Sequence, residues 1–225
     1  MVDIVDALRH RVRTAGAQPL LTYYDLDRNE RIELSAVSFA NWVDKTCHLL
    51  DELELGPGEQ LAVPVVAERP GHWAGLVAVM AGWQMGAHVV VDPTPGSLVA
   101  VTGPDNVWAV IPPTWLTVVA CSLHPLGLPL HPPAPVIDFA DVLSQPDVGL
   151  TFPHSAGDPA WEDLSYGDLA SLTGETGRRL LRATDPAAVL DGLVAPVLGG
   201  GSAVIVAGQG DAGRIAEAER AVALG

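Results

Sequence analysis

The sequence has few cationic side chains and few cysteines, and each shortage excludes a class of function. Lys and Arg number 12 against 27 Asp and Glu, which gives a formal net charge of -15 at pH 7. Nucleic acids and anionic membranes bind proteins through clustered Lys and Arg, so neither is an expected partner. Cys47 and Cys121 lack a CxxC spacing, which indicates two buried thiols and neither a disulfide framework nor a zinc site.

Long hydrophobic runs are also missing. The most apolar stretch, Leu76 to Val91, is interrupted by Gln84 and His88 and is shorter than the ~20 apolar residues that span a bilayer. The N-terminus interleaves charged with apolar residues and lacks the continuous apolar block of a signal peptide. We therefore expect a cytoplasmic protein.

The first half of the chain is typical of an α/β protein. The predicted elements, in order, are a helix on Ile4, Val5, Leu8 and Val12, a hairpin of Leu20–Leu26 with Arg31–Leu34, and a long helix capped by Ser35. A strand over Gln60–Ala67, a helix over Gly71–Met85 that is apolar nearly all round, and a strand over Ala87–Val91 follow. A strand–helix–strand order with a right-handed crossover implies parallel neighbours in one sheet.

The second half alternates short strands and helices. The predicted strands are Leu98–Val101, Val107–Ile111, Leu116–Cys121, Val148–Phe152 and Ala203–Ala207. The predicted helices are Val136–Leu143, Ser165 to about Leu181, Asp185–Leu198 and Asp211–Leu224. The expected fold is α/β, a mainly parallel sheet with flanking helices. Residues 1–145 would form an N-terminal subdomain, with 146–225 a partial second subdomain packed on it, or the two would be one domain.

The stretch from Asp147 to Leu169 joins a predicted strand to a helix start through a loop rich in Gly and Pro. In many α/β proteins such a loop aims backbone N–H groups and the positive end of a helix at a phosphate. This loop contains no Lys or Arg and carries Asp158, Glu162 and Asp163. The position of the loop before a helix favours the binding of an anion, whereas its acidic side chains oppose it.

Three strings, in this order, resemble the N-terminal part of the adenylate-forming superfamily, which includes acyl-CoA synthetases and nonribosomal peptide adenylation domains. They are LSAVSFANWVDKTCHLLDELELGPGEQLAVPV (Leu34–Val65), WAGLVAVMAGWQMGAHVVVDP (Trp73–Pro93) and GLVAPVLGGGSAVIV (Gly192–Val206). The strings LVAVTGPDN and SLHPLG are more narrowly similar to a group of short actinobacterial proteins of that superfamily. The resemblance implies the fold of the N-terminal subdomain of acyl-CoA synthetases.

The superfamily's phosphate loop reads TSGTTGxPK, and its counterpart here runs from Phe152 to Ala160. Gly157 and Pro159 match, and Ser155 stands at a Thr position. The Lys is replaced by Ala160, and Asp158 adds a negative charge. The resemblance therefore leaves Ser155, Gly157 and Asp158 as degenerate phosphate-loop positions, and it implies that tight ATP binding is lost.

The resemblance also places a magnesium motif, a ribose-binding Asp and a catalytic Lys beyond this region, and the sequence stops at Gly225. We therefore expect a non-catalytic protein that binds a ligand or a partner, with no catalytic residue, no metal and no cofactor. Loss of the later domains would expose apolar surface for a homodimer or a protein partner. The alternative is an adenylate-forming activity, or the binding of an acyl-adenylate, ATP or AMP, completed by another subunit.

Other candidate motifs have simpler interpretations. Gly208–Gly213 matches GxGxxG but has too little sequence after it for a dinucleotide fold, and Gly199–Gly201 is interpreted as a helix C-cap and turn. His154 beside Ser155 would suit acyl transfer only if the two side chains faced each other. Trp161, in an acidic loop, is the tryptophan we expect to be exposed. The seven histidines lack metal-site spacing: they are His10, His48, His72, His88, His124, His131 and His154.

Overall fold

The computed structural model describes residues 2–107 and 112–223, which form twelve strands and eight α-helices. The strands are β1 (Pro19–Asp25), β2 (Glu30–Ser35), β3 (Gln60–Ala62), β4 (His88–Val90), β5 (Ser97–Thr102), β6 (Thr117–Ala120), β7 (Ile137–Asp138), β8 (Pro159–Trp161), β9 (Leu164–Ser165), β10 (Arg178–Arg182), β11 (Ser202–Ala207) and β12 (Val222–Ala223). The helices are α1 (Ile4–Ala15), α2 (Ala36–Glu52), α3 (Val65–Glu68), α4 (Trp73–Gln84), α5 (Pro104–Val107), α6 (Tyr166–Ser171), α7 (Ala195–Gly199) and α8 (Ala212–Glu219). A 3-10 helix covers Phe139–Ser144, and a π-helical turn, Leu190–Val194, leads into α7.

The strands form two sheets. One has five strands in the order β12-β10-β11-β1-β2, and the other has seven in the order β7-β6-β5-β3-β4-β8-β9. Among the described strands, the hairpins β1–β2 and β8–β9 pair antiparallel and the remaining neighbours pair parallel. The predicted α/β fold with mainly parallel sheets is therefore confirmed.

One hydrophobic core joins the two sheets through the helices between them. Every residue of α4 is buried, as its nearly uniform apolar sequence predicts. The core also takes residues from α1, α2, β1 and β11. Within the described residues, no helix combines the length and the apolar character needed to cross a bilayer.

Several predicted elements are confirmed closely. The first amphipathic helix is α1, the hairpin is β1–β2, and Ser35 caps α2 by accepting a hydrogen bond from the N–H of Ser38. Gly200 ends α7 with a positive φ of 77°, a conformation that glycine adopts without steric cost. The strand predicted over Ala203–Ala207 is β11.

Other predictions were wrong in extent or in type. The strand predicted over Gln60–Ala67 stops at Ala62, because the segment after Pro64 turns into α3. The helix predicted over Val136–Leu143 is β7 followed by the 3-10 helix. Residues 148–152 form no strand.

The predictions for the C-terminal third also need correction. The helix capped by Ser165 stops at Ser171 instead of Leu181, because Arg178–Arg182 pairs with β11 as a strand. The last helix ends at Glu219 and is followed by β12, while Leu224 lies outside the described residues. Of the strand predicted over Val107–Ile111, Val107 ends α5 and the rest lies outside the described residues.

The proposed division at residues 145 and 146 stays a prediction. Each sheet draws strands from both sides of that point. The five-stranded sheet combines β1 and β2 with β10 to β12, and the seven-stranded sheet combines β3 to β7 with β8 and β9.

Candidate functional site

The candidate phosphate loop, residues 152–160, begins against the C-terminal end of α4. The N–H of Phe152 donates to the carbonyl of Gln84 at 3.0 Å, and the Gln84 side-chain amide donates to the carbonyl of Leu150 at 2.9 Å. Gly86 has a positive φ of 73°, and a Cβ there would lie 3.2 Å from the carbonyl oxygen of Pro153. The backbone that enters the loop therefore forms hydrogen bonds with the end of a helix and not with a neighbouring strand.

Ser155 and Asp158 close the loop on itself. The N–H of Ser155 donates to Oδ2 of Asp158 at 2.7 Å, and the N–H of Asp158 donates to the carbonyl of Ser155 at 3.0 Å. A carboxylate that accepts from a backbone N–H does what a phosphate oxygen would do at an anion site. The carboxylate of Asp158 thus takes up the N–H of Ser155, a donor that a bound phosphate would need.

The N-terminus of α6, which follows the loop and its hairpin, is satisfied in the same way. The N–H of Tyr166 donates to the carbonyl of Asp158 at 3.0 Å, and the N–H of Gly167 donates to the carbonyl of Ala156 at 2.7 Å. The N–H of Asp168 donates to Oγ of Ser165 at 3.1 Å, and the Asp168 carboxylate accepts from the N–H of Ser165 at 2.9 Å. These two residues form the predicted capping pair. The first turn of α6 keeps its donors within the protein.

Two further motif positions, Gly157 and Ala160, differ in their surroundings. A Cβ at Gly157 would meet no atom within 4 Å, so packing does not require glycine there. Ala160, at the Lys position of the superfamily loop, is fully buried on β8, and its carbonyl accepts a hydrogen bond from Nε1 of Trp83 at 2.9 Å. The position aligned with the Lys of the superfamily loop therefore lies in the core.

His154 contacts residues other than Ser155. Its Nε2 lies 2.7 Å from Oδ2 of Asp3, and its ring stacks on Tyr166 with centroids 3.7 Å apart. This geometry ties the loop to the start of α1. It does not support the Ser/His acyl-transfer arrangement considered from the sequence.

A cavity of about 380 Å³ lies beside the loop and is lined by Phe152, Pro153, His154 and the start of α1. Arg9 of α1 also lines it, where its guanidinium donates to the hydroxyl of Thr151 and lies 3.8 Å from Asp6. Sequence reasoning missed Arg9 because 142 positions separate it from Thr151. An ordinary surface Arg on an amphipathic helix gives no signal of such a contact.

The GxGxxG segment is held in place by hydrogen bonds to other parts of the chain. The N–H of Gln209 donates to the carboxylate of Asp27 at 3.0 Å, and Arg182 donates to the carbonyls of Gly208 and Gly210. Asp211 caps α8 by accepting from the first-turn N–H groups. The glycines therefore form a turn at a helix start, which was the simpler of the two interpretations.

The remaining candidates are structural. Trp161 is buried against Trp83 with ring centroids 6.5 Å apart, so the expectation that it is exposed was wrong. Cys47 and Cys121 are free and buried, as predicted. Among residues 2–107 and 112–223, no group of three or more His, Cys, Asp or Glu side chains converges as it would around a metal ion.

Solved structures with the same fold are acyl-CoA synthetases and their relatives. An acyl-CoA synthetase from Brucella canis superimposes with a TM-score of 0.71 at 14% identity, covering 97% of this chain and 46% of its own. The inhibitor-bound N-terminal domain of FACL13 from Mycobacterium tuberculosis gives 0.70 at 15% identity, covering 98% of this chain and 62% of its own. The chain thus spans about half the length of these structures.

Sequence comparison gives a nearer relative. No protein-family model matches the chain. A TIGR03089 family protein from Mycobacterium tuberculosis (strain ATCC 25618 / H37Rv) is 32% identical over 213 residues, which covers 87% of this chain and 86% of the relative. On this similarity over nearly its whole length, the chain belongs to the TIGR03089 family, and it has the fold of the N-terminal domain of acyl-CoA synthetases.

Proposed function

We propose that this chain does not form acyl-adenylates by itself and serves as a non-catalytic binding protein on the acyl-CoA synthetase fold. The observation that carries the proposal is the hydrogen bond from the N–H of Ser155 to the carboxylate of Asp158. A phosphate at that N–H would have to displace Asp158 and then lie beside its charge. The loop would gain no compensating cation from position 160, where a buried Ala stands.

The magnitudes favour this proposal. A hydrogen bond to a charged group contributes about 1.5–3 kcal/mol. Two like charges 4 Å apart near a protein surface repel by roughly 4 kcal/mol. The absence of the Lys and the presence of Asp158 thus make the free energy of binding a triphosphate several kcal/mol less favourable.

The test is carboxylate-dependent exchange of pyrophosphate into ATP, together with calorimetric titration with Mg-ATP. We expect neither exchange nor heat of binding at millimolar nucleotide. Asp158→Asn removes the internal charge and should raise any residual ATP affinity, whereas Asp163→Asn, a matched change in the neighbouring hairpin, should not. Exchange above background by the wild-type chain alone would overturn the proposal.

A second candidate is the binding of an acyl-adenylate by this chain as one part of a larger assembly. It is favoured by the relative whose N-terminal domain was crystallised with an inhibitor and by the cavity that Arg9 lines beside the loop. Titration with a non-hydrolysable acyl-adenylate analogue tests it. Binding that Arg9→Ala weakens, while Arg13→Ala does not, would support this candidate, and no binding would remove it.

We further propose that the protein partner is a second copy of the chain or another protein that covers exposed apolar residues, in the cytoplasm. Leu126 and Leu128 are 73% and 48% exposed, and such side chains close together are typical of interaction surfaces. Light scattering after size exclusion should show self-association that the Leu126→Ser/Leu128→Ser variant weakens. A wild-type monomer at all concentrations would exclude the second copy.

A further inference from the structure

A groove of about 790 Å³ runs along α1, between this helix and the C-terminal end of α7. Its polar side chains come from successive turns of α1 and are Asp6, His10, Arg11, Arg13 and Thr14. Its apolar wall is formed by Val2, Ala7, Val197 and Leu198. Because residues 6, 10 and 14 are spaced by four, they lie on one face of the helix, and the groove follows that face.

Arg11 is the unusual residue of the groove, because its charge is buried and unpaired. The residue is 9% exposed. In the parts of the chain that the structure describes, its guanidinium forms one hydrogen bond, from Nη2 to the carbonyl of Pro19 at 3.4 Å, and no ion pair. Buried arginines are nearly always paired with an anion. The charge of Arg11 is therefore one that an anion from outside the chain can neutralise.

Nη1 is the guanidinium nitrogen through which Arg11 can contact a ligand. Nε is buried without a partner, whereas Nη1, which also lacks a partner within residues 2–107 and 112–223, is not buried. Since Arg11 lines the groove, we place Nη1 at its wall.

The site lies at the end of the groove where α1 and α7 both end. The hydrogen bond to Pro19 holds Arg11 beside the start of β1. Leu21 of β1 pairs with Ala203 of β11, so the start of β1 is next to the residues that follow Gly200. Arg11 lies roughly 10 Å along the helix axis from Ile4, the first residue of α1, so Val2 belongs to the opposite end of the groove.

The lining restricts the chemistry of the ligand. Arg13 adds a second, exposed cation, whereas Asp6, which lies 3.8 Å from Arg9, adds a negative charge. With a net charge of -15 on the chain as well, an anion with more than one charge is disfavoured. Val197 and Leu198 can cover a short apolar tail. We propose that this groove binds an organic monoanion, typified by a carboxylate on a short apolar tail, which accepts a hydrogen bond from Nη1 of Arg11.

The groove uses none of residues 152–160, so the proposal is independent of the proposed loss of adenylation. The experiment is a titration of the isotope-labelled full chain at constant ionic strength, followed by NMR shifts of the amides of Arg11, Thr14 and Gly200. The probes are sodium hexanoate, hexan-1-ol, which has the tail without the charge, and inorganic phosphate, which has charge without a tail. We expect saturable shifts with hexanoate and an affinity at least about 10-fold weaker for hexan-1-ol. Phosphate should also bind more weakly than hexanoate.

Arg11→Met removes the charge and keeps a side chain of similar width in the groove. It should lower the affinity for hexanoate by about 10-fold or more and leave that for hexan-1-ol nearly unchanged. Arg214→Met is the matched control, because it makes the same substitution on α8, where the side chain is 88% exposed. This control should leave the affinity for hexanoate unchanged.

Thr14→Asp is the second variant, and it decides the question if circular dichroism shows that Arg11→Met is unfolded. Thr14 is exposed and lies one turn after Arg11, so a carboxylate there should pair with the guanidinium and repel hexanoate. Thr14→Asn is its uncharged control and should bind hexanoate more tightly. The proposal would be overturned by the absence of saturable shifts with hexanoate, or by phosphate or hexan-1-ol binding as tightly as hexanoate. Unchanged affinity in a folded Arg11→Met variant, or equal affinities of the two Thr14 variants, would also overturn it.

Discussion

Nη2 of Arg178 on β10 lies 2.6 Å from Oε2 of Glu219, the last residue of α8. The same carboxylate accepts hydrogen bonds from Arg31 at 2.9 Å and from the hydroxyl of Tyr24. Burial alone would raise the pKa of Glu219, but hydrogen bonds from Tyr24, Arg178 and Arg31 outweigh it and lower the pKa to about 2. One carboxylate therefore joins α8 to three strands of the five-stranded sheet.

Glu219→Gln should lower the free energy of unfolding by about 1–3 kcal/mol, because it removes charge-assisted hydrogen bonds from two arginines. Urea denaturation measures the loss. Glu217→Gln is the control, since it makes the same charge change on an exposed residue of the same helix, and its effect should stay within ~0.5 kcal/mol. Equal effects of the two substitutions would show that the network contributes nothing.

The contribution of Glu219 also depends on pH. The pKa of its carboxyl in the folded state is about 2, below the ordinary 4.5, so its stabilisation is present above pH 4.5 and is lost as the pH falls towards 2. The difference in unfolding free energy between wild type and Glu219→Gln should therefore shrink over that range. A difference that stays constant down to pH 2.5 would contradict this account.

His72 should also make the protein less stable in acid, and over a higher pH range than Glu219 does. Burial, and then the charge of Arg69, lower the pKa of His72 to about 3. The unfolded chain takes up this proton near pH 6.5 while the folded one does not. Stability is therefore lost as the pH falls below about 6.5, by about 2–3 kcal/mol between pH 7 and pH 4.5.

The slope of unfolding free energy against pH isolates that effect. His72→Gln should flatten the slope between pH 6.5 and 4.5, even though it also alters the cap of α4, where Nδ1 accepts from the N–H of Ala74 at 3.3 Å. His10→Gln, at an exposed position of α1, is the control for replacing a histidine outside the core. An unaltered slope in His72→Gln would show that His72 does not titrate as proposed.

Ser165→Ala should lower the free energy of unfolding by about 1 kcal/mol, the usual contribution of an N-cap. The substitution removes Oγ, which accepts from the N–H of Asp168 at 3.1 Å. Ser165→Thr keeps the acceptor and should restore most of the loss. Urea denaturation of the three proteins gives the comparison, and a Thr variant as weak as the Ala variant would contradict the cap's role.

The two thiols should be unreactive in the folded protein. Cys47 and Cys121 are buried, and burial raises the pKa of both, that of Cys121 to about 12, so little thiolate forms near pH 8. Ellman's reagent should label both cysteines rapidly in guanidinium chloride and neither rapidly in buffer. A fast phase in buffer would mean that the core around one of them opens locally.

The sequence predicted the parts of the fold in which local pattern and tertiary packing agree. The apolar α4 and the Ser35 cap of α2 are examples. Arg178–Leu181 was predicted as the end of the helix that Ser165 caps, but parallel pairing with β11 decides its conformation. Residues 148–152 look like a strand, yet the N–H of Phe152 and the carbonyl of Leu150 are hydrogen-bonded to Gln84 of α4 and not to a neighbouring strand.

The candidate site was predictable in composition and not in geometry. The acid at position 158 is visible in the sequence, whereas its hydrogen bond to the N–H of Ser155 depends on the turn that the loop adopts. The contact of His154 with Asp3 joins residues 151 positions apart. A single sequence carries no signal for such a distant pair.

The pairing of β1 with β11 has a consequence for synthesis on the ribosome. Leu21 faces Ala203 in the register, so the parallel edge of β1 has no partner until β11 has emerged. At a synthesis rate of about 5–20 residues per second, the hairpin β1–β2 would wait on the order of ten to forty seconds for its partner strand. During that time its apolar side chains would stay exposed. Nascent chains halted before β11 should therefore aggregate or recruit chaperones more than chains halted after it.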